Sequence, residues 1–366
     1  MVLDYHSLLR FVQLILPRMR VTRQRNLALA MLGVLKVRDA HLTISEIARA
    51  IPSKLDHWPK FKRIWRFLSN LKWSPAACFD PLFKFLLSRF HVGHYLPVII
   101  DQSTIAGKWE VLWASVPFRG RALPISFQVF RHDDINADPE GSQNKLENQF
   151  IRALVAMIPD SLHPLLLFDR GYARVSLFRL LDSLQVHYVV RVCKNVNVRY
   201  RRRYHGPLSG VVVRRGELIW WPRVLYSDSE AYPVNLVLTL NATAKEPWCL
   251  VTNLKRGTTA VRWYERRFRC EELFKDIKDQ LHLETIRIKH TERVERLLFV
   301  LVVAYYALTL IGVAAQRVRL RRKICKDKVS PAWMALRLLF MPQFLKPDLL
   351  QRALFSYSWS LSYESG

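Results

Sequence analysis

Cysteine is scarce and scattered. The five in the chain's 366 residues (Cys78, Cys193, Cys249, Cys270 and Cys325) include no C-x-x-C pair. That excludes the ligand spacing of a zinc finger and a disulfide framework, and it points to a reducing compartment. Acid is scarce too: 30 Asp and Glu stand against 57 Lys and Arg, a formal net charge of +27. Such an excess repels itself unless a polyanion neutralises it, and nucleic acid is the leading partner. A secretory leader is not apparent, because MVLDYHSLLRF carries Asp4 and Arg10 and lacks a clean apolar core before a small-residue cleavage site. A cytoplasmic location is therefore the expectation. Half the residues are hydrophobic, which excludes a disordered chain, and the length allows two or three domains.

One stretch complicates the soluble reading. Residues 297–315, LLFVLVVAYYALTLIGVAA, carry no charge and are long enough to cross a bilayer. Arg293, Arg296 and Arg317 flank the run on both sides, so no charge asymmetry orients it. A fully buried central helix gives the same pattern, and burial is the expectation, with no membrane partner.

Residues 1–92 read as helical. Within them 42–51 has Thr43 and Ser45 as candidate caps, and 57–71 is a second helix bearing Lys60, Lys62, Arg63 and Arg66. The pair reads either as a helix-turn-helix for duplex DNA or as plain helical packing. After Tyr95 the pattern changes to strands. The run 96–100 ends at Asp101, and strands are expected at 110–117 and 122–131 with a turn between. A polar stretch, 133–141, leads into a helix at 143–157. The strand 164–168, PLLLF, is tipped by Asp169 in the phrase DRGY, followed by a helix at 174–183 and a strand at 186–191. Strand, helix, strand argues for parallel pairing, and ligands collect at the carboxyl ends of such strands. Residues 194–247, rich in Val, Tyr, Trp and Arg, read as an inserted set of β-hairpins. The strand WCLVTN then rejoins the sheet.

The most charged helical stretch is 263–278, WYERRFRCEELFKDIK. At about 100° per residue, Tyr264, Arg267, Glu271 and Lys278 fall within roughly 60° of one another, with Lys275 close beside. Ion pairs on a solvated face would account for such a row. So would a metal-binding carboxylate flanked by phosphate-holding groups.

The spacing Y-x2-R-x3-E-x6-K resembles the YREK signature of DDE transposases encoded by bacterial insertion sequences, in particular the insertion sequence four group. The resemblance implies an α/β, RNase H-like catalytic core with a β-rich insertion. The expected division is a helical DNA-binding domain at 1–92, core at 93–193, insertion at 194–247, core again at 248–290, and a helical region at 291–366 that includes a possible dimer contact. Asp101, Asp169 and Glu271 match the catalytic triad, which would hold two Mg²⁺ ions, with Mn²⁺ able to substitute. Tyr264, Arg267 and Lys278 match DNA-phosphate contacts, and Lys275 stands beside them. Arg191 aligns with a basic DNA contact. Trp248 aligns with a tryptophan that packs against a flipped base, although the stretch from Trp248 to Tyr264 is short for that family. The activity so implied is metal-dependent cut-and-paste transposition of double-stranded DNA at terminal inverted repeats into target DNA, by a homodimer. A catalytically inactive, end-binding repressor is the alternative. The basic clusters 191–203 and 317–328 are further candidate phosphate contacts.

Overall fold

The computed structural model describes residues 3–37, 41–137, 141–241, 244–320 and 329–360. Positions 321–328 of the second basic cluster, with Cys325, lie outside them.

Five helices come first: α1 (Tyr5–Ile15), α2 (Val21–Lys36), α3 (Ile44–Ala50), α4 (His57–Leu68) and α5 (Ala76–Arg89). Thr43 caps α3 by accepting from the Glu46 amide at 3.2 Å. Six residues, 51–56, join α3 to α4, which is longer than the three- or four-residue turn of a helix-turn-helix. α4 turns Ile64, Phe67 and Leu68 inward. The hydrophobic core is continuous from these helices into the strands beyond them, so the head is not walled off from the sheet.

Strands β1 (Phe90–His91), β2 (Tyr95–Ile105), β3 (Trp109–Phe118) and β4 (Arg121–Phe130) come next, then helices α6 (His132–Ala137) and α7 (Gln143–Met157). After these are β5 (His163–Phe168), α8 (Val175–Ser183), β6 (His187–Arg191), β7 (Asn197–Tyr200), β8 (Tyr204–Pro207), β9 (Leu218–Tyr226), β10 (Tyr232–Thr239) and β11 (Trp248–Thr252). One mixed sheet of ten strands has the order β4-β3-β2-β5-β6-β11-β10-β9-β7-β8. β5 is parallel to β2 and to β6, and β2, β3 and β4 form an antiparallel meander. β3, apolar at most of its positions, is buried along its whole length, with Glu110 and Ser115 buried among its apolar residues. Gly120, at φ +77°, makes the β3–β4 turn that a side chain would strain.

The β-rich stretch is not a separate layer. β11 pairs antiparallel with β6, β10 with β11 and β9 with β10, so these strands extend the main sheet outward.

Helices α9 (Gly257–Tyr264), α10 (Arg269–Lys275) and α11 (Thr291–Arg317) complete the centre. α11 is long and apolar enough to cross a membrane, and its apolar window is wholly buried inside the protein. Arg296, read in the sequence as a flank of that window, is itself buried. It donates to the carbonyls of Leu68 and Trp73 at 3.2 Å each, tying α11 to the end of α4. The helix Pro331–Leu339 packs on α11, placing much of the tail against its own chain. At Gly312 the crossing is so close that a Cβ would lie 1.8 Å from the Pro331 carbonyl oxygen.

Candidate active site

β2 and β5 run parallel in register from Tyr95 opposite His163 to Ile100 opposite Phe168. The next residue on each is an acid. Asp101 and Asp169 therefore emerge side by side where the parallel pairing stops, at the carboxyl end of the pair. One expectation needs correcting here. Asp101 does not end its strand, since β2 continues to Ile105 against β3. What ends at Ile100 is the pairing with β5, and that opens space beside Asp101.

The stretch 263–278 is also not one even helix. Between α9 and α10 the amides of Arg266, Arg267, Arg269 and Cys270 each donate to the carbonyl three residues back, at 2.9–3.1 Å. A three-residue repeat lines up Tyr264, Arg267 and Cys270. Beyond α10, a π-turn at Asp276–Gln280 changes the phase again. The expected four-residue stripe is broken as a result. Tyr264, Arg267 and Glu271 face the acids, whereas Lys278 donates to the Thr104 carbonyl at 2.7 Å and pairs with Glu284 at 2.9 Å. Lys275 is exposed on α10.

Arg267 is the hub. Its side chain is 6% exposed, and Nη1 meets Asp101 Oδ2 at 2.8 Å. Nη2 reaches Glu271 Oε1 at 3.0 Å and Asp169 Oδ2 at 3.6 Å. Three carboxylates from three elements thus converge on one guanidinium. Burial alone would lower the Arg267 pKa, but the Asp101 charge and its neighbours outweigh that and hold it above the usual arginine value. Cys270 Sγ donates to the same Asp101 Oδ2 at 2.8 Å. Burial, then Asp101, pushes this thiol far up, so it stays protonated and remains a donor. The Tyr264 hydroxyl donates to Asp169 Oδ1 at 3.3 Å, and burial raises its pKa as well. Burial also raises Glu271, with Arg267 opposing it.

Three carboxylates offer hard oxygen ligands, which suit Mg²⁺ or Mn²⁺. They outnumber the single guanidinium among them, a local excess of acid in a chain of net charge +27. Among the described residues no three His, Cys, Asp or Glu stand close enough together to hold an ion as placed. The positive charge among the three acids is Arg267, and they are gathered around it. The residues fit a divalent ion in kind, but as placed they are arranged around the guanidinium.

Of the remaining expected residues, Arg191 and Trp248 lie near the acids. Arg191, at the end of β6, is ion-paired with Glu246, which also takes Lys194 at 3.6 Å and Arg170 at 4.0 Å. Trp248 opens β11, its ring edge-on to Tyr264 at 5.2 Å and tilted over Phe268 at 5.6 Å. Arg199, Arg201, Arg202 and Arg203 are exposed on β7 and the β7–β8 turn, at the edge of the sheet farthest from β2.

Sequence reading passed over two further features. Cys270 was one, because a lone cysteine in a charged helix reads as core. The other is a polar chain behind Asp101. In it Gln143 Nε2 donates to Gln102 Oε1 and to Glu147 Oε1, each at 2.9 Å, and Glu147 pairs with Arg174 at 2.7 Å. Its only sequence trace is the four-residue step from Gln143 to Glu147.

Residues 135–307, just under half of the chain, match the family model described as "Transposase DDE domain". The match takes in Asp169 and Glu271 and begins beyond Asp101. It supports a DDE transposase, and the mixed α/β architecture is consistent with an RNase H-like DDE domain. No curated protein matches the chain.

Proposed function

We propose that this chain is a DNA transposase of the insertion sequence four group that cuts the ends of its element and joins them to target DNA. The observation that carries the reading is the convergence of Asp101, Asp169 and Glu271 on Arg267. Two of the acids sit at adjacent strand positions and the third on the helix that crosses them. In this reading the three carboxylates hold two Mg²⁺ ions, with Mn²⁺ as a substitute, and the bound metal supplies activation of the attacking oxygen and stabilisation of the leaving 3′-oxygen. The chain's own residues supply position. The Cys270 thiol fixes one oxygen of Asp101, the Tyr264 hydroxyl orients Asp169, and Arg267, once released, is a fork for a phosphate. Lys278, Lys275 and Arg191 are the flanking phosphate contacts, and Trp248 is the stacking surface for an unpaired base at the end of the element. Pairing of two ends calls for a homodimer acting on duplex DNA. Hairpinned ends are an optional intermediate of such chemistry.

The test is a labelled duplex carrying the flanking inverted repeat, incubated with Mg²⁺ or with EDTA, wild type beside Glu271→Ala. Metal-dependent nicking at the repeat's end, absent from the variant, is the expected result. Tight end binding without cleavage by wild type would overturn it in favour of an inactive end-binding repressor.

A further inference from the structure

α4 shows solvent a row of aromatic rings. Trp58 is 58% exposed and Trp65 is 40% exposed, unusual for indoles on a basic helix. Trp58, Phe61 and Trp65 succeed one another at steps of three and four residues, so they share one face. The rings of Trp58 and Phe61 stack at 5.2 Å with 2° between their planes. Phe61 and Trp65 also form one wall of a cleft of about 380 Å³ whose other wall is Arg287, Lys289, His290 and Arg293.

Charge runs along both sides of this row. Lys60, Lys62, Arg63 and Arg66 project from α4, and Arg287, Lys289 and Arg293 face it across the cleft. None of these seven takes part in a salt bridge among the described residues. Their partners are uncharged: Lys60 donates to the Ile51 carbonyl, Arg63 to Asn26, Lys62 lies over Trp58 at 5.3 Å, and Arg293 lies over Trp65 at 4.8 Å. Unpaired cations on both sides of exposed ring faces suit one kind of ligand, a phosphate chain whose bases are free to stack. A duplex hides its base faces and offers the exposed parts of these indoles no base to stack on. The six-residue link before α4 likewise departs from a duplex-reading helix-turn-helix.

We propose that α4 and residues 287–293 form a binding track for single-stranded DNA, with Trp58 and Trp65 as stacking platforms and Arg287, Lys289 and Arg293 as phosphate contacts. The track is separate from the carboxylate site and needs no metal, so it stands or fails independently of the catalytic reading.

The test uses the full chain in EDTA and a fluorescent oligothymidylate, with binding read by anisotropy across a salt series. Trp58→Ala and Trp65→Ala should each weaken binding about tenfold, the worth of one stacked base. Arg287→Ala with Lys289→Ala should weaken it and flatten its salt dependence. Glu271→Ala should leave it unchanged. A strand of abasic sugars should bind wild type no better than thymidylate binds the tryptophan variants. Because so basic a chain can hold DNA elsewhere, a strand carrying 5-iododeoxyuridine should be photocrosslinked and its attachment mapped. Crosslinks to the peptide spanning 58–65 are expected. Tryptophan variants that bind as tightly as wild type, equal affinity for the abasic strand, or crosslinks confined to other segments would each overturn the proposal.

Discussion

Two charged regions of this protein are built on opposite plans. At the ends of β2 and β5 every charge has a partner: one buried guanidinium answers three carboxylates, with a thiol and a phenol holding two of those acids in place. Along α4 and 287–293 the cations make no salt bridge among the described residues, although Glu292 lies in the same segment. A matched site keeps its geometry without ligand, because an unpaired charge in a buried setting is costly. An unmatched surface keeps its repulsion until a polyanion arrives. The contrast separates a place where atoms must be held still from one where a strand must be held loosely.

That contrast can be broken at several points. The largest stability effect expected is from Arg267→Ala, which leaves the Asp101 side chain, itself 15% exposed, without its cation. Removing one member of a buried pair costs on the order of 3–5 kcal/mol, read as a fall in denaturation midpoint. Arg267→Lys should recover only part, since an ammonium cannot fork to several carboxylates. In Arg267→Ala, added Mn²⁺ should raise the midpoint more than it does in wild type, because the ion takes the vacated position. Equal rises would mean that the guanidinium does not compete for it. Cys270→Val is the next step down. It removes the thiol donor to Asp101 with little change of shape, and about 1.5–3 kcal/mol should be lost, with Cys270→Ser closer to wild type. The smallest effect belongs to the unmatched surface. Lys62→Ala and Arg66→Ala should change stability by no more than about 0.5 kcal/mol. A loss of several kcal/mol there would show that the two regions are not built differently after all.

Some of this was legible in the sequence for plain reasons. Asp101 and Asp169 come directly after apolar runs that must be buried, and each marks the point where the pairing of β2 with β5 stops. The residues 297–315 are hydrophobic on every side, and only a central helix or a membrane accommodates that. A helix around Gln143–Met157 was readable too. The illegible part depends on contacts distant in sequence. Whether β7–β10 form a layer of their own or extend the main sheet is decided by β11 pairing with β6, and no local pattern records that choice. The wheel that put Lys278 beside Tyr264 assumed an even 3.6-residue period. Three-residue hydrogen bonds on one side and a π-turn on the other changed the phase. Arg267 was read on one face with Tyr264 and Glu271 as a phosphate contact, and its pairing with all three acids needed their positions.

The close crossing at Gly312 acts like a detent in a sliding bolt. With no side chain there, α11 seats against the Pro331 carbonyl in one axial position and one rotation, and any Cβ would lift it out. The same seating sets the azimuth of Tyr305, seven residues earlier and fully buried, whose hydroxyl lies 3.3 Å from Asp276 Oδ2. Asp276 grips Arg121 at 3.0 Å and stands where α10 gives way to the π-turn. A missing methyl group deep in the core thereby holds the roll of the helix that carries Glu271.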